Sequence, residues 1–193
     1  MEIDRQLNVK SFRMTEIAHL LLAVRIQEGD TVIDATAGNG GDTVFLAQRV
    51  GDTGKVHAFD IQQQAIENTR KRLASHGLLH RVDLHHTSHT EIAQLETPVK
   101  AVVFNLGYLP GSDKRIITRP DTTCAAISAA LTLLQAGGII VAVLYQGHES
   151  GNEEATTVEK FARQLPNSDY IVSKYEHLNV SNDPPYVLVL GKR

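Results

Sequence analysis

Short apolar runs alternate with amphipathic ones along almost the whole chain, but the last two apolar runs have nothing amphipathic between them. Strand-like runs read at Thr31–Ala35, Lys55–Asp60, Arg81–His86, Lys100–Asn105, Gly138–Tyr145, Tyr170–Tyr175 and Tyr186–Leu190. Helix-like spacing reads at Thr15–Gln27, Gly41–Val50, Ile61–His76, Thr90–Leu95, Pro120–Gln135 and Glu153–Leu165. Strands alternating with helices predict a parallel sheet covered by helices on both faces. Only His177–Pro185 separates the final pair of strands. That is too short for a parallel crossover, so the pair must close as an antiparallel hairpin. The expected fold is therefore α/β: a doubly wound, mostly parallel seven-stranded sheet of Rossmann-like form, ending in a C-terminal antiparallel hairpin.

A chain of 193 residues fits one domain, so residues 1–193 are read as a single unit. With 42% hydrophobic and 21% charged residues it can bury a core without a metal or disulfide. The sole cysteine, Cys124, can form no internal disulfide, which fits a reducing compartment. The start MEIDRQ lacks an apolar segment of signal-peptide type, and no run approaches the ~20 apolar residues of a membrane span. A cytoplasmic location with no membrane partner is expected. The net charge of −3 speaks against a large phosphate-binding surface but leaves room for a local basic patch.

The sharpest local signal runs from Val32 through Asp34, Thr36, Gly38, Asn39, Gly40 and Asp42 to Thr43. A buried strand enters a glycine-rich turn, and a helix starts just past it. Gly38 and Gly40 permit close backbone approach to a ligand facing the helix amino end. A nicotinamide dinucleotide is disfavoured. The third glycine of its fingerprint is replaced by Thr43, and Asp34 would repel a pyrophosphate. A carboxylate there suits the ammonium end of S-adenosylmethionine instead. Asp42 is a second acid, at the helix start, where it also favours the helix dipole. Asp60 ends the second strand twenty residues after Gly40, the offset of a ribose-binding acid, and Gln62 follows it. His86-Thr87-Ser88-His89 ends the third strand where an adenine would lie. No cysteine lies nearby and the acids are not at ligand spacing, so no metal is expected there.

The fourth strand ends in Asn105-Leu106-Gly107-Tyr108. This Asn-x-x-Tyr frame resembles the NPPY motif of amine-directed methyltransferases, with Leu106-Gly107 in place of the two prolines. The asparagine oxygen and the next carbonyl can accept both N–H groups of an amine and aim its lone pair at a methyl group. Tyr108 can stack on a base or close the pocket. Lys114, Arg115 and Arg119 follow as either a solvated loop or a phosphate-gripping lip. Arg70-Lys71-Arg72 reads as a solvated helix face. Past the fifth strand, Tyr145 and His148 lie on the same rim as Asn105, where His148 can handle a proton. Asn179–Pro185 reads as a turn.

DATAGNGGDT (34–43), NLGYLPG (105–111), YQGHESG (145–151) and NxxNDPP (179–185) together resemble the small bacterial proteins labelled rRNA methylases, from about Ser11 to the C-terminus. The resemblance implies a class I fold and S-adenosylmethionine as cofactor. It places Asp34, Thr36, Gly38, Asn39, Gly40, Asp42, Thr43, Asp60, Gln62, Ser88 and His89 around that cofactor. Asn105, Tyr108 and His148 fall at the reaction centre, with Lys114, Arg115, Arg119 and Tyr145 toward the substrate. Similar proteins methylate the aminomethyl group of wobble 5-aminomethyl-2-thiouridine in tRNA, which implies a tRNA anticodon loop as partner. An alkylammonium has no lone pair, so His148, Tyr145 or Asp113 is expected to assist its deprotonation. Methylation of rRNA, a small amine or a protein side chain stands as the alternative. A binding module that only senses the cofactor would not need Asn105.

Overall fold

Val102 and Phe104 point to one face of their strand and Ala101 and Val103 to the other, and all are buried. A strand covered on both faces lies inside a sheet flanked by helices. The computed structural model, which describes residues 13–107, 117–147, 149–181 and 183–193, has that architecture. In chain order the elements are α1 (Met14–Ala23), β1 (Thr31–Asp34), α2 (Gly41–Val50), β2 (Lys55–Asp60), α3 (Gln63–Ser75), β3 (Val82–His86) and β4 (Val99–Asn105). Then come α4 (Pro120–Leu133), β5 (Leu134–Leu144), α5 (Glu149–Arg163), β6 (Tyr170–Tyr175) and β7 (Tyr186–Lys192). The sheet order is β3-β2-β1-β4-β5-β7-β6. β1 to β5 run parallel, and β7 lies antiparallel between β5 and β6, as the short connection required.

α1, α2 and α3 cover one face of the sheet, where Leu22, Leu46 and Leu73 pack on Val32, Val56 and Val141. α4, α5 and a short 3-10 helix (His89–Gln94) cover the other, where Ile127, Val158 and Ile92 pack on Ile33, Phe104 and Ile140. Building outward from β1, the chain lays down β2 and β3 on one side and then returns to lay β4 on the other. That reversal opens a crevice above the carboxyl ends of β1 and β4, the place where ligands bind in such sheets.

Several boundaries differ from the sequence reading. α1 stops at Ala23, whose carbonyl accepts from Arg49 Nη2 at 2.7 Å. α3 starts at Gln63, because Asp60 Oδ1 accepts the Gln62 N–H at 2.9 Å and holds the chain extended; Ile61 is left exposed. Leu134 leaves α4 and pairs with Val99 as the first residue of β5. The register then shifts, and Gly137 (φ 71) and Gly138 carry the irregularity. A Cβ on Gly138 would meet the Lys100 carbonyl at 2.7 Å. α5 begins at Glu149, four residues before the expected Glu153, with Gly151 buried in its first turns. Among the described residues no helix is long and apolar enough to cross a membrane.

Candidate active site at the switch point

The glycine turn is built on Asp34, which is fully buried at the end of β1. Its Oδ1 accepts the Thr36 N–H at 3.1 Å and its Oδ2 the Thr43 hydroxyl at 2.6 Å. Burial raises its carboxyl to about 7, helped by the charges of Asp42 and then Asp60. Gly40 (φ 77) is left-handed and crowded: a Cβ there would lie 3.0 Å from the Thr69 Cα. α3 clasps the same turn from outside. Thr69 donates to the Gly38 carbonyl at 3.1 Å, Arg72 Nη1 to the Asn39 carbonyl at 3.1 Å, and Asn68 Nδ2 to Asn39 Oδ1 at 2.9 Å. Asp60 Oδ2 accepts the Gly38 N–H at 2.9 Å and ties the turn to β2.

Above this turn opens a cavity of about 1180 Å³. That exceeds the ~300–1,000 Å³ of a site for one small ligand, so a cofactor and part of a second substrate fit together. Thr36, Gly38, Asn39, Asp60, Gln62, Ser88 and His89 line it as expected for a cofactor wall. Asp34, Gly40 and Thr43 do not reach the wall; they lie beneath it and shape it. The histidines of the third strand end part company. His85 stacks on Phe59, His86 bonds the Ile61 carbonyl, and His89 turns inward to the cavity. Burial lowers the His89 imidazole below its ordinary value, so the ring is neutral. Its Nε2 has no hydrogen-bond partner among the described residues. The neutral ring on the cavity wall fits the face of a heterocycle such as adenine. Ser88 is partly engaged, accepting from the Thr90 N–H and hydroxyl.

On the other side of β1 stand Asn105, Tyr145 and Arg119. The Asn105 N–H donates to Thr36 Oγ1 at 2.8 Å, and its Nδ2 donates to Asp42 Oδ2 at 3.1 Å. Orienting the amide this way leaves Oδ1 as its remaining acceptor. Asp42 therefore sits with Asn105 on the acceptor side as well as beside the cofactor turn. The rigidity that the missing prolines would supply comes from elsewhere. Gly107 (φ 145) donates its N–H to Thr118 Oγ1 at 3.0 Å, and its carbonyl accepts the Thr118 N–H at 3.1 Å. Thr118 and Thr123 donate their hydroxyls to the buried Glu154 at 2.6 and 2.7 Å. Burial and then the Asp42 charge push the Tyr145 phenol up, so it is a hydrogen-bond donor at neutral pH and not a base. Tyr108, Asp113, Lys114, Arg115 and His148 lie outside the described residues.

The sequence reading missed several wall residues: His19 from α1, Ile61, Arg72, and Asp183 with Pro184 before β7. Arg72 is exposed, as the solvated-face reading expected, and its Nη1 also bonds the glycine turn. Its spacing from Asn68 and Thr69 on one helix face was the signal available.

An antiparallel β7 beside β5 separates this sheet from nicotinamide-binding domains, and the crevice presents acids where those domains cradle a pyrophosphate. The class so defined is the S-adenosylmethionine-dependent class I methyltransferases. Within it, the chain belongs to the family described as "Putative rRNA methylase", whose model matches residues 56–191. A chloroplastic tRNA (mnm5s2U34)-methyltransferase of Arabidopsis thaliana is 44% identical over 191 residues, covering 93% of this chain and 70% of its own. The crystal structure of a Clostridium thermocellum protein described as "putative rRNA-methylase" superposes with a TM-score of 0.92 at 43% identity, covering 94% of this chain and 98% of that one. A Streptococcus mutans protein described as "a putative methyltransferase", crystallised in complex with SAH, gives 0.86 at 36% identity over 94% of this chain and 98% of that one.

Proposed function

We propose that this methyltransferase acts on the aminomethyl group of wobble 5-aminomethyl-2-thiouridine in tRNA, giving the 5-methylaminomethyl nucleoside. The observation that carries the reading is Asn105, whose backbone N–H donates to Thr36 and whose side-chain amide donates to Asp42, leaving the amide oxygen to accept. An oriented amide acceptor on an acidic wall suits an amine better than a ring carbon or a hydroxyl. The Arabidopsis relative, named for this nucleoside, supports the same reading.

S-adenosylmethionine, when bound, supplies the methyl group as an electrophilic sulfonium. His89 and Ser88 would line the adenine side, Asp60 and Gln62 the ribose side, and Thr36, Gly38 and Asn39 would hold the rest of the cofactor along the turn. Asn105 Oδ1 accepts an N–H of the amine and aims its lone pair. Arg13 and Arg119 line the same cavity and offer cations to the phosphates of an anticodon loop. Lys114 and Arg115 extend that lip in sequence. Mass spectrometry of tRNA nucleosides from a strain lacking the gene tests the reading. Accumulated 5-aminomethyl-2-thiouridine with loss of its N-methylated product is expected. A normal nucleoside profile would move the substrate to rRNA, a protein side chain or a small amine.

A further inference from the structure

An alkylamine is mostly protonated at neutral pH and cannot attack until it loses a proton. Tyr145 keeps its own proton at neutral pH and does not take that one. His19 Nε2 lies 2.6 Å from Asp42 Oδ1, across 23 residues of sequence. The ring is fixed flat on Phe45, with centroids 4.0 Å apart and planes 2° from parallel. His19 is 26% exposed and Asp42 13%, so Asp42 is nearly enclosed while the histidine keeps a path to water. Both line the cavity, and Asp42 Oδ2 holds the amide of Asn105. One carboxylate thus joins the group that aims the amine to an imidazole able to hold a proton.

We propose that Asp42 and His19 form the proton-accepting pair of this enzyme. The proposal rests on the aminomethyl reading above. An N–H bond of the substrate ammonium breaks and its proton passes to Asp42 Oδ2, while the proton already shared in the 2.6 Å hydrogen bond between Asp42 Oδ1 and His19 Nε2 shifts onto His19. The freed nitrogen lone pair forms the new N–C bond. The methyl–sulfur bond breaks with its electron pair left on sulfur. The product departs as a secondary ammonium, and the proton leaves His19 to solvent, so charge balances. The charged and titratable groups facing this pair are Asp34 from β1, Asp60 from β2, Arg72 from α3, His89 beyond β3, Tyr145 beyond β5, Asp183 before β7, and Arg13 and Arg119 at the cavity. The Asp42 carboxylate beside Asn105 favours binding of the ammonium over the free amine and makes an internal acceptor necessary.

The test uses the whole chain and an anticodon stem-loop carrying 5-aminomethyl-2-thiouridine. His19→Gln can still bond Asp42 but cannot take a proton. Its kcat at neutral pH is expected to fall about a hundred-fold, with KM for the RNA and cofactor Kd within about two-fold of wild type. The deficit should narrow toward pH ~9, as more substrate amine becomes neutral by itself. Asp42→Asn should lose kcat in the same way. With S-adenosylhomocysteine bound, adding the aminomethyl stem-loop should move the His19 ring signal in NMR toward its protonated form, and unmodified stem-loop should not. Wild-type turnover together with an unchanged pH profile in His19→Gln, or an unresponsive ring signal, would overturn the pair alone. No transfer by wild type would remove the amine reading, and the pair with it.

Discussion

Asp34 shows how far a single residue can be read from sequence and where the reading stops. Its type and place, ending β1 ahead of the glycines, mark a methyltransferase turn. Its depth depends on Thr36, Thr43 and the helices above, which no local pattern encodes. Its raised value of about 7 has a consequence for stability. Between 3.8 and about 7 the folded protein holds a proton that the unfolded chain has released. The stabilisation is fully present below that window and is lost as pH rises through it, by about 1.4 kcal/mol per unit crossed. Asp34→Asn can satisfy both neighbours without titrating. In thermal melts from pH ~5 to ~8 its stability should fall less with pH than that of wild type. Equal slopes would show that Asp34 does not ionise in that range. His19 was hidden for a related reason. In α1 it reads as one polar residue among leucines, and only the packing of α1 against α2 brings it to Asp42.

Elements were legible where periodicity was strong and misjudged where glycine or leucine carried two meanings. Leu133 and Leu134 continue a helical apolar pattern, yet sheet pairing with Val99 claims the second of them. Gly147 and Gly151 suggest a loop, yet α5 runs through Gly151 because its first turns must place Glu154 under Thr118 and Thr123. That buried carboxylate clamps the end of β4 to the start of α4 through Gly107 and Thr118. Glu154→Ala leaves both hydroxyls without this acceptor and should cost roughly 2–3 kcal/mol of stability. It should also raise KM for the RNA while leaving cofactor affinity nearly unchanged, because the cofactor wall is built on β1 to β3. Loss of stability without any change in KM would make the clamp a matter of folding only.

At the scale of the whole molecule, the hairpin at the end of the sheet was readable from the length of one connection. The cavity was not, because its wall is drawn from both ends of the chain. The net charge of −3 does not oppose an RNA substrate once its distribution is seen. Asp42 and Asp60 line the crevice, while Arg13 just before α1, Arg72 in α3 and Arg119 just before α4 share its wall. An acidic centre selects an ammonium, and a few cations suffice for the few phosphates of a loop. The most direct test is to incubate the purified chain with S-adenosylmethionine and tRNA bearing 5-aminomethyl-2-thiouridine, then weigh the wobble nucleoside by mass spectrometry. A gain of one methylene on the aminomethyl nitrogen, absent with tRNA lacking the aminomethyl group, is the expected result. An unaltered nucleoside, from protein shown to bind the cofactor, would contradict it.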